Sequence, residues 1–140
     1  VTLRITMKKG SRLRSMRVSD GFRSFVLDQL DGIGDITPKD MFGGVGLYSR
    51  GFFFGILAAD VLYLKADETN RSDFERAGSK PFTPFEDRRG TMQYWAVPLG
   101  VLESAPELVE WTQKSIAVAR RGKAKKPRRA PLKKDRAARR

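Results

Sequence analysis

The sequence predicts an α+β domain of two layers, in which an antiparallel sheet of about five strands is flanked by helices. Three observations support this class. Apolar residues recur with a helical period in some segments and alternate in others, which gives the order α-β-β-β-α-β-β-α. The links between neighbouring strands are short, and short links force strands to run antiparallel. Helices with one apolar face then pack on the sheet as a second layer.

The first helix is predicted over residues 19–30. Ser19 is a good N-cap because its side-chain oxygen can accept a hydrogen bond from an amide of the first turn, and Asp20 suits the positive end of the helix dipole. Gly32 and Gly34 end the helix. The apolar residues of one helical face are Phe22, Phe25, Val26 and Leu30.

A three-stranded meander is predicted next, after a loop. Residues 45–49 alternate in character, residues 52–58 are rich in aromatic and branched side chains, and residues 61–66 form a third run. Tight turns at 49–51 and 59–60 connect these strands.

The second half of the domain is predicted to contain a short helix and two further strands. Asn70 caps the helix, Asp73 occupies the capping-box position and Gly78 ends it. The strands cover residues 82–86 and 91–97.

The last helix opens with a second capping box, formed by Ser104 and Glu107. From Gly122 onward lysine, arginine, alanine and proline dominate. Such a segment cannot bury enough apolar surface to fold, so we expect it to be disordered. The apolar face of the last helix, which precedes this segment, consists of Leu108, Val109, Trp111, Thr112 and Ile116.

Charge divides the chain into three parts. Residues 1–17 hold six basic residues and no acidic one, and we expect a flexible leader. Residues 18–120 are the predicted domain, and within residues 18–119 ten basic and fifteen acidic residues give a net charge of −5. Residues 121–140 are the predicted disordered tail, and residues 120–140 hold twelve basic residues against one acidic residue. A polyanion is therefore expected to meet the basic ends rather than the folded surface.

The twelve basic residues of the C-terminal end are the candidate nucleic-acid-binding residues. Lysine and arginine neutralise phosphates and release counterions, and proline keeps a chain extended enough to follow a nucleic-acid backbone. Nothing in the segment indicates readout of base sequence. The residues are Arg120, Arg121, Lys123, Lys125, Lys126, Arg128, Arg129, Lys133, Lys134, Arg136, Arg139 and Arg140.

The absence of two residue types limits the chemistry of this chain. It contains no cysteine and no histidine, which excludes the usual zinc sites, iron–sulfur clusters, thiol nucleophiles, disulfides and histidine-based triads. We expect no enzymatic activity, no cofactor and no metal. The longest apolar stretch, residues 51–59, is far shorter than the roughly 20 residues of a membrane-spanning helix. We therefore expect no membrane partner and a cytoplasmic location.

A glycine-rich motif at residues 41–48 is the candidate contact surface for a protein partner. A phosphate-binding loop would need Lys and Ser or Thr after its last glycine, and a dinucleotide-binding motif would need a strand before it and a helix after it. Here a strand follows, so the glycines are expected to permit a closely packed strand start. The candidate surface consists of Met41, Phe42, Gly43, Gly44, Gly46 and Tyr48.

Carboxylates and aromatic residues raise three further hypotheses, and in each case a structural role is the preferred interpretation. A hard cation could bind Asp28, Asp31, Asp35 and Asp40. A carboxylate pair for glycoside hydrolysis could come from Asp60, Asp67 and Glu68. Nucleic-acid bases could stack on a sheet face that bears Phe52, Phe53, Phe54, Tyr63, Phe82, Phe85, Tyr94 and Trp95. The acidic body argues against base stacking, and loop and turn positions explain the carboxylates.

Five short motifs follow one another along the domain: MFGGVGLY at 41–48, LYLKAD at 62–67, NRSDFERAG at 70–78, PF at 81–82 and YWAVP at 94–98. Together they resemble the N-terminal domain of the TfoX/Sxy family of bacterial competence regulators. The resemblance implies a small two-layer α+β domain and a role in transcriptional regulation, in which full-length members work with the cyclic AMP receptor protein. Those members carry a second, helical C-terminal domain. The basic tail occupies its place here, so we expect a standalone N-terminal domain.

The sequence thus predicts a non-enzymatic, regulator-like protein. Its acidic domain would contact a protein partner, with a transcription factor as one candidate, and its tail would bind nucleic acid without sequence preference. The alternative is a protein–protein interaction adaptor with no role in nucleic-acid binding. An enzyme that uses carboxylates or tyrosine is a third hypothesis, and a filled core would argue against it.

Overall fold

A computed structural model describes residues 15–83 and 93–125 of the chain. Over these residues one antiparallel sheet carries helices on one face, which confirms the predicted α+β class. The helices are α1 (Asp20–Gln29), α2 (Arg71–Arg76), α3 (Leu99–Leu102) and α4 (Ala105–Lys125). The strands are β1 (Ile36–Met41), β2 (Gly44–Ser49), β3 (Phe52–Ala58), β4 (Val61–Lys65) and β5 (Tyr94–Ala96).

The five strands lie side by side in chain order, and every neighbouring pair is antiparallel. Three of the connections are hairpins with two-residue turns, Phe42–Gly43, Arg50–Gly51 and Ala59–Asp60. All six turn residues have positive φ, as type I′ turns require, because the twist of such turns matches that of the flanking strands. The sheet is therefore a simple meander.

Strand β1 corrects the prediction of a loop between the first helix and the meander. Its six residues pair with β2, from Ile36 opposite Ser49 to Met41 opposite Gly44. The segment has a weak strand signal because Pro38, Lys39 and Asp40 interrupt it, and proline is tolerated mainly on an edge strand. β1 is such an edge.

The predicted strand over residues 82–86 is also wrong where it can be checked. Phe82 and Thr83 belong to no strand, and residues 84–86 lie outside the described residues. Residues 80–82 instead run along β5: the Phe82 N–H donates to the Tyr94 carbonyl, and Pro81 forms an isolated bridge with Trp95. The observed element order is therefore α-β-β-β-β-α-β-α-α. The sheet has five strands as predicted, but β1 takes the place of the predicted strand over residues 82–86.

The main core lies between the sheet and the helices. α1 contributes Val26 and Leu30, α2 contributes Phe74, and α4 contributes Leu108 and Ile116. The strand residues that meet them are Val45, Leu47, Phe54, Leu57, Leu62 and Leu64. The T-shaped contact between Phe74 and Trp111, with ring centroids 4.9 Å apart, joins α2 to α4. These contacts form a core between one face of the sheet and the helices.

A smaller apolar cluster covers the opposite face of the sheet. A β-bulge in β3, opposite Leu47 and Tyr48, shifts the alternation of the strand, so Phe53 points to this outer face while Phe54 points into the main core. The outer cluster consists of Ile56, Ala58, Phe82 and Tyr94, with Met16, Phe53 and Tyr63 packed against it.

The start of α1 is anchored to the β3–β4 hairpin. Ser19 caps the helix as predicted, since its Oγ accepts a hydrogen bond from the Phe22 N–H at 3.2 Å. The Ser19 N–H in turn donates to Asp60 Oδ1 at 2.8 Å, and the Ala59 N–H donates to the Met16 carbonyl at 3.2 Å. These bonds hold residues 16–19 beside the turn of this hairpin.

Asn70 occupies the N-cap position of α2 as predicted, but its side chain makes no capping hydrogen bond, so the predicted capping box is wrong. The Asn70 Oδ1 accepts a hydrogen bond from the Asp67 N–H at 2.9 Å, and its Nδ2 donates to the Lys65 carbonyl at 3.2 Å. Asn70 is almost fully buried, and a buried amide needs such partners. Its side chain therefore turns back to the end of β4 instead of towards the helix.

Helix α4 is longer than its sequence pattern predicts. At its start the Glu107 N–H donates to Ser104 Oγ at 3.4 Å, in agreement with the predicted cap. At its end the helix passes Gly122 and reaches Lys125, five residues into the segment predicted to be disordered. Residues 126–140 lie outside the described residues.

Candidate functional site

The two arginines at the predicted start of the basic end point to different sides of α4. Arg121 Nη2 lies 3.1 Å from Asp67 Oδ2 and 2.9 Å from Thr69 Oγ1. Burial opposes ionisation of Asp67, but hydrogen bonds from Thr69 and the charge of Arg121 outweigh it, so the pKa of the Asp67 carboxyl is lowered. Arg121 thus fastens α4 to the loop between β4 and α2.

Arg120 lies on another side of α4, above the ring of Phe52. Its guanidinium carbon is 5.9 Å from the ring centroid, which is within the range of a cation–π contact. Phe52 is the first residue of β3, directly after the Arg50–Gly51 turn. The β2–β3 hairpin therefore sets the position of the Arg120 side chain.

A cleft of about 320 Å³ opens beside this contact, between α4 and the β2–β3 hairpin. Arg50 and Arg120 both line it, together with Asp35, which pairs with Arg50 at 3.0 Å. The remaining lining residues are Ile33, Gly34, Ser49, Gln113, Ile116 and Ala117. The lining of the cleft thus includes two arginines and one aspartate of the folded body.

The other ten predicted nucleic-acid-binding residues lie at or beyond the end of α4. Lys123 and Lys125 belong to the last turns of the helix. The remaining eight, Lys126, Arg128, Arg129, Lys133, Lys134, Arg136, Arg139 and Arg140, lie outside the described residues.

The predicted partner surface divides between the tip, the interior and the outer face of the β1–β2 hairpin. Gly44 and Gly46 are buried. A Cβ on Gly44 would lie 2.6 Å from the Leu57 carbonyl oxygen, and one on Gly46 would lie 2.6 Å from Met41 Cε. These two glycines therefore serve close packing, as the preferred interpretation of the motif expects.

Phe42 is an exposed aromatic residue in the turn of this hairpin. It is 86% exposed at the tip, and its φ of 48° is a left-handed conformation that costs a residue with a Cβ about 1–2 kcal/mol. Asparagine or glycine is the usual residue at this turn position. A large apolar side chain is thus held in solvent at a position where the backbone disfavours it.

Tyr48 faces the outer side of the sheet. Its ring stacks on Phe53 with centroids 5.0 Å apart, and the Lys39 ammonium lies 5.0 Å from its centroid. Tyr94 lies on the same face, and burial, with a smaller effect from Tyr48, raises the pKa of its hydroxyl. Packing therefore accounts for these rings.

The remaining aromatic residues divide between the two faces of the sheet. Phe54 and Trp95 pack on the helix side and Phe82 on the outer side, while Phe85 lies outside the described residues. With the set split in this way and largely buried, core packing explains it better than a platform for stacking bases.

Three of the carboxylates proposed for cation binding or hydrolysis have other partners in the fold. Asp35 pairs with Arg50, Asp40 pairs with Arg23 at 3.1 Å, and Asp60 accepts the Ser19 N–H. Within residues 15–83 and 93–125, no group of three or more acidic residues is arranged to hold a metal ion. None of the helices described there combines the length and apolar composition needed to cross a bilayer.

Arg50 is the residue of interest that the sequence did not single out. It lies in a turn 70 positions before Arg120, and only the packing of α4 on the sheet brings the two to one cleft. No local sequence pattern predicts that these two arginines line the same cleft.

Comparison with protein families gives one finding. A family model described as TfoX N-terminal domain matches residues 28–119, from the end of α1 to the last third of α4. No curated protein matches the chain.

Proposed function

Because the chain belongs to the TfoX N-terminal domain family, we propose that it is a non-enzymatic, regulator-like protein whose basic C-terminal end binds nucleic acid without sequence preference. The family suggests regulation of competence. The binding mode is inferred from the charge of this chain.

The distribution of charge carries the proposal. Residues 120–140 hold twelve basic residues and one acidic residue, whereas residues 18–119 are net acidic. In the folded body, basic side chains already pair with carboxylates: Arg23 with Asp40, Arg50 with Asp35, and Lys114 and Arg76 with Asp73. Electrostatic attraction for a polyanion is therefore expected at the basic ends, and most strongly from residue 120 onward, where the net charge is largest.

Fluorescence anisotropy on a labelled random duplex tests the proposal. The full chain is compared with a variant in which the eight basic residues between 126 and 140 are changed to glutamine. If the chain makes about six phosphate contacts, its affinity should fall about 10³-fold between 50 and 200 mM salt. The glutamine variant should lose most of this affinity and most of the salt dependence.

A shuffled-tail variant, with the order of residues 126–140 changed and the composition kept, is the matched control. It should bind like the native chain, because counterion release depends on charge rather than order. Equal binding by the native and glutamine variants would contradict the proposal.

The adaptor hypothesis is the second candidate, and Phe42 is the observation that favours it. An exposed aromatic residue held in a disfavoured backbone conformation is typical of a side chain kept for contact with a partner, and a transcription factor remains one candidate. Edge pairing is a poor route to that partner, since Pro38 interrupts β1 and residues 80–82 cover β5.

The Phe42→Asn substitution separates the two candidates. Asparagine suits the turn and Phe42 buries little surface, so the variant should fold at least as stably as the native chain. A protein retained by the native chain after nuclease treatment, retained also by the glutamine-tail variant and lost with Phe42→Asn, would favour the adaptor. Retention that depends on the tail or on intact nucleic acid would favour the regulator.

A further inference from the structure

The cleft between α4 and the β2–β3 hairpin places two arginines from distant parts of the chain at one opening on the folded body. We propose that this cleft binds one phosphate of a nucleic-acid backbone held by the basic C-terminal end, with Arg50 and Arg120 as its ligands. This inference rests on the proposed function and adds to it a contact on the folded domain.

Arg120 is positioned for such a contact by the ring of Phe52. The Arg120 guanidinium carbon lies 5.9 Å from the centroid of that ring, and the N–H donors of a guanidinium suit the oxygens of a phosphate. Phe52 belongs to the same hairpin as Arg50, so this hairpin carries one of the two arginines and contacts the other.

Arg50 pairs with a carboxylate but keeps N–H donors outside that pair. Its Nε and Nη2 both lie near one oxygen of Asp35, at 3.1 and 3.0 Å. A guanidinium has five N–H donors, so the Nη1 side lies outside this pair. The Arg50 side chain is 77% exposed, and the two arginines with Asp35 leave a local charge of +1.

The direction of α4 connects the cleft to the rest of the basic end. Arg121 is bound to Asp67 on another side of the helix, so Arg120 is the arginine that faces the hairpin. The cleft lies on the side of α4 that carries positions 113, 116, 117 and 120, and the helix continues from Arg120 to Lys125. A phosphate backbone on this side of α4 passes the cleft.

The test measures duplex binding by the full chain carrying Arg50→Ala with Arg120→Ala. One phosphate contact contributes about 0.9 to the slope of log affinity against log salt, so the slope of the double variant should be shallower by about that amount. The ratio of native to variant affinity should then shrink about threefold between 50 and 200 mM salt.

Arg76→Ala is the matched control for Arg50→Ala. Arg76 is 71% exposed and pairs with Asp73 at 2.8 Å, but it does not line the cleft. The Arg76→Ala variant should keep the native slope of log affinity against log salt. Thermal unfolding of each variant checks that the fold is kept.

Asp35→Asn supplies a second readout with the opposite sign. Removing the competing carboxylate should raise affinity several-fold, and by more than Asp40→Asn, which changes the net charge equally at a position outside the cleft. A purely structural role of Asp35 would instead lower affinity.

The outcomes separate this inference from the proposed function. A double variant that matches Arg76→Ala in slope, or an Asp35→Asn effect no larger than that of Asp40→Asn, overturns the phosphate cleft while binding by the tail stands. A native chain without salt-dependent binding overturns both.

Discussion

Replacing Thr112 by valine should stabilise the domain. Thr112 lies on the buried side of α4 with no exposed surface, and its hydroxyl has no hydrogen-bond partner within the described parts of the chain. Burying an unsatisfied hydroxyl costs about 1–3 kcal/mol. Valine has nearly the same shape and a similar helix propensity, so the substitution removes this cost without opening a cavity.

The expected gain is about 1–2 kcal/mol in the free energy of unfolding. For a domain of about 100 residues, each kcal/mol raises Tm by roughly 4–8 °C. Urea unfolding followed by tryptophan fluorescence measures the change, because Trp95 and Trp111 both pack against the core. The dependence of the free energy on urea should stay the same, so the midpoint alone should move.

Thr69→Val is the matched control, with the opposite sign. The Thr69 hydroxyl is 2.6 Å from Asp67 Oδ1 and 2.9 Å from Arg121 Nη2, so valine there removes two hydrogen bonds and should destabilise by about 1 kcal/mol. Thr112→Val that destabilises, or that behaves like Thr69→Val, would refute the account of the buried hydroxyl.

Three other perturbations have expected outcomes in thermal unfolding. Gly44→Ala should lower stability by about 1–3 kcal/mol because its Cβ would meet a backbone oxygen, whereas Gly21→Ala, in open space on α1, should raise it by up to about 1 kcal/mol; equal effects would contradict the packing argument. Ala59→Gly should be neutral to stabilising by up to about 1 kcal/mol, since glycine adopts its φ of 52° without strain, and a clear loss would show that the turn is unstrained. The pKa of Asp67 is lowered from 3.8, so the stability it contributes is present above pH 3.8 and is lost as pH falls through its folded-state pKa. Asp67→Asn should therefore flatten the decline of Tm at acidic pH, and an unchanged decline would count against the contact with Arg121.

Local patterns predicted the elements whose cause is local. Ser19 caps α1 because one hydroxyl and one amide three residues apart are sufficient, and the strands around Ala59 and Asp60 follow from alternation beside a short turn. Strand β1 was not predicted because its pairing with β2, rather than its own composition, makes it a strand. The role of Asn70 was misjudged for a similar reason, since burial beside Lys65 outweighed the cap.

At the candidate site, contacts between residues distant in sequence could likewise not be predicted. The basic end is visible in composition alone, but its first two arginines receive different partners from the fold: Asp67 for Arg121 and Phe52 for Arg120. The exposure of Phe42 also depends on the fold, because the same residue one position earlier would lie in β1.

The edge strand β1 affects how closely copies of this domain can approach one another without aggregating. Binding many copies to one nucleic acid would raise their local concentration and bring sheet edges together, which is the condition under which open strands nucleate fibrous aggregates. Pro38 lacks the N–H that an incoming strand needs, and Lys39 and Asp40 beside it add charge to the edge. The residues that weaken the strand signal of β1 would therefore oppose edge-to-edge aggregation of closely packed domains.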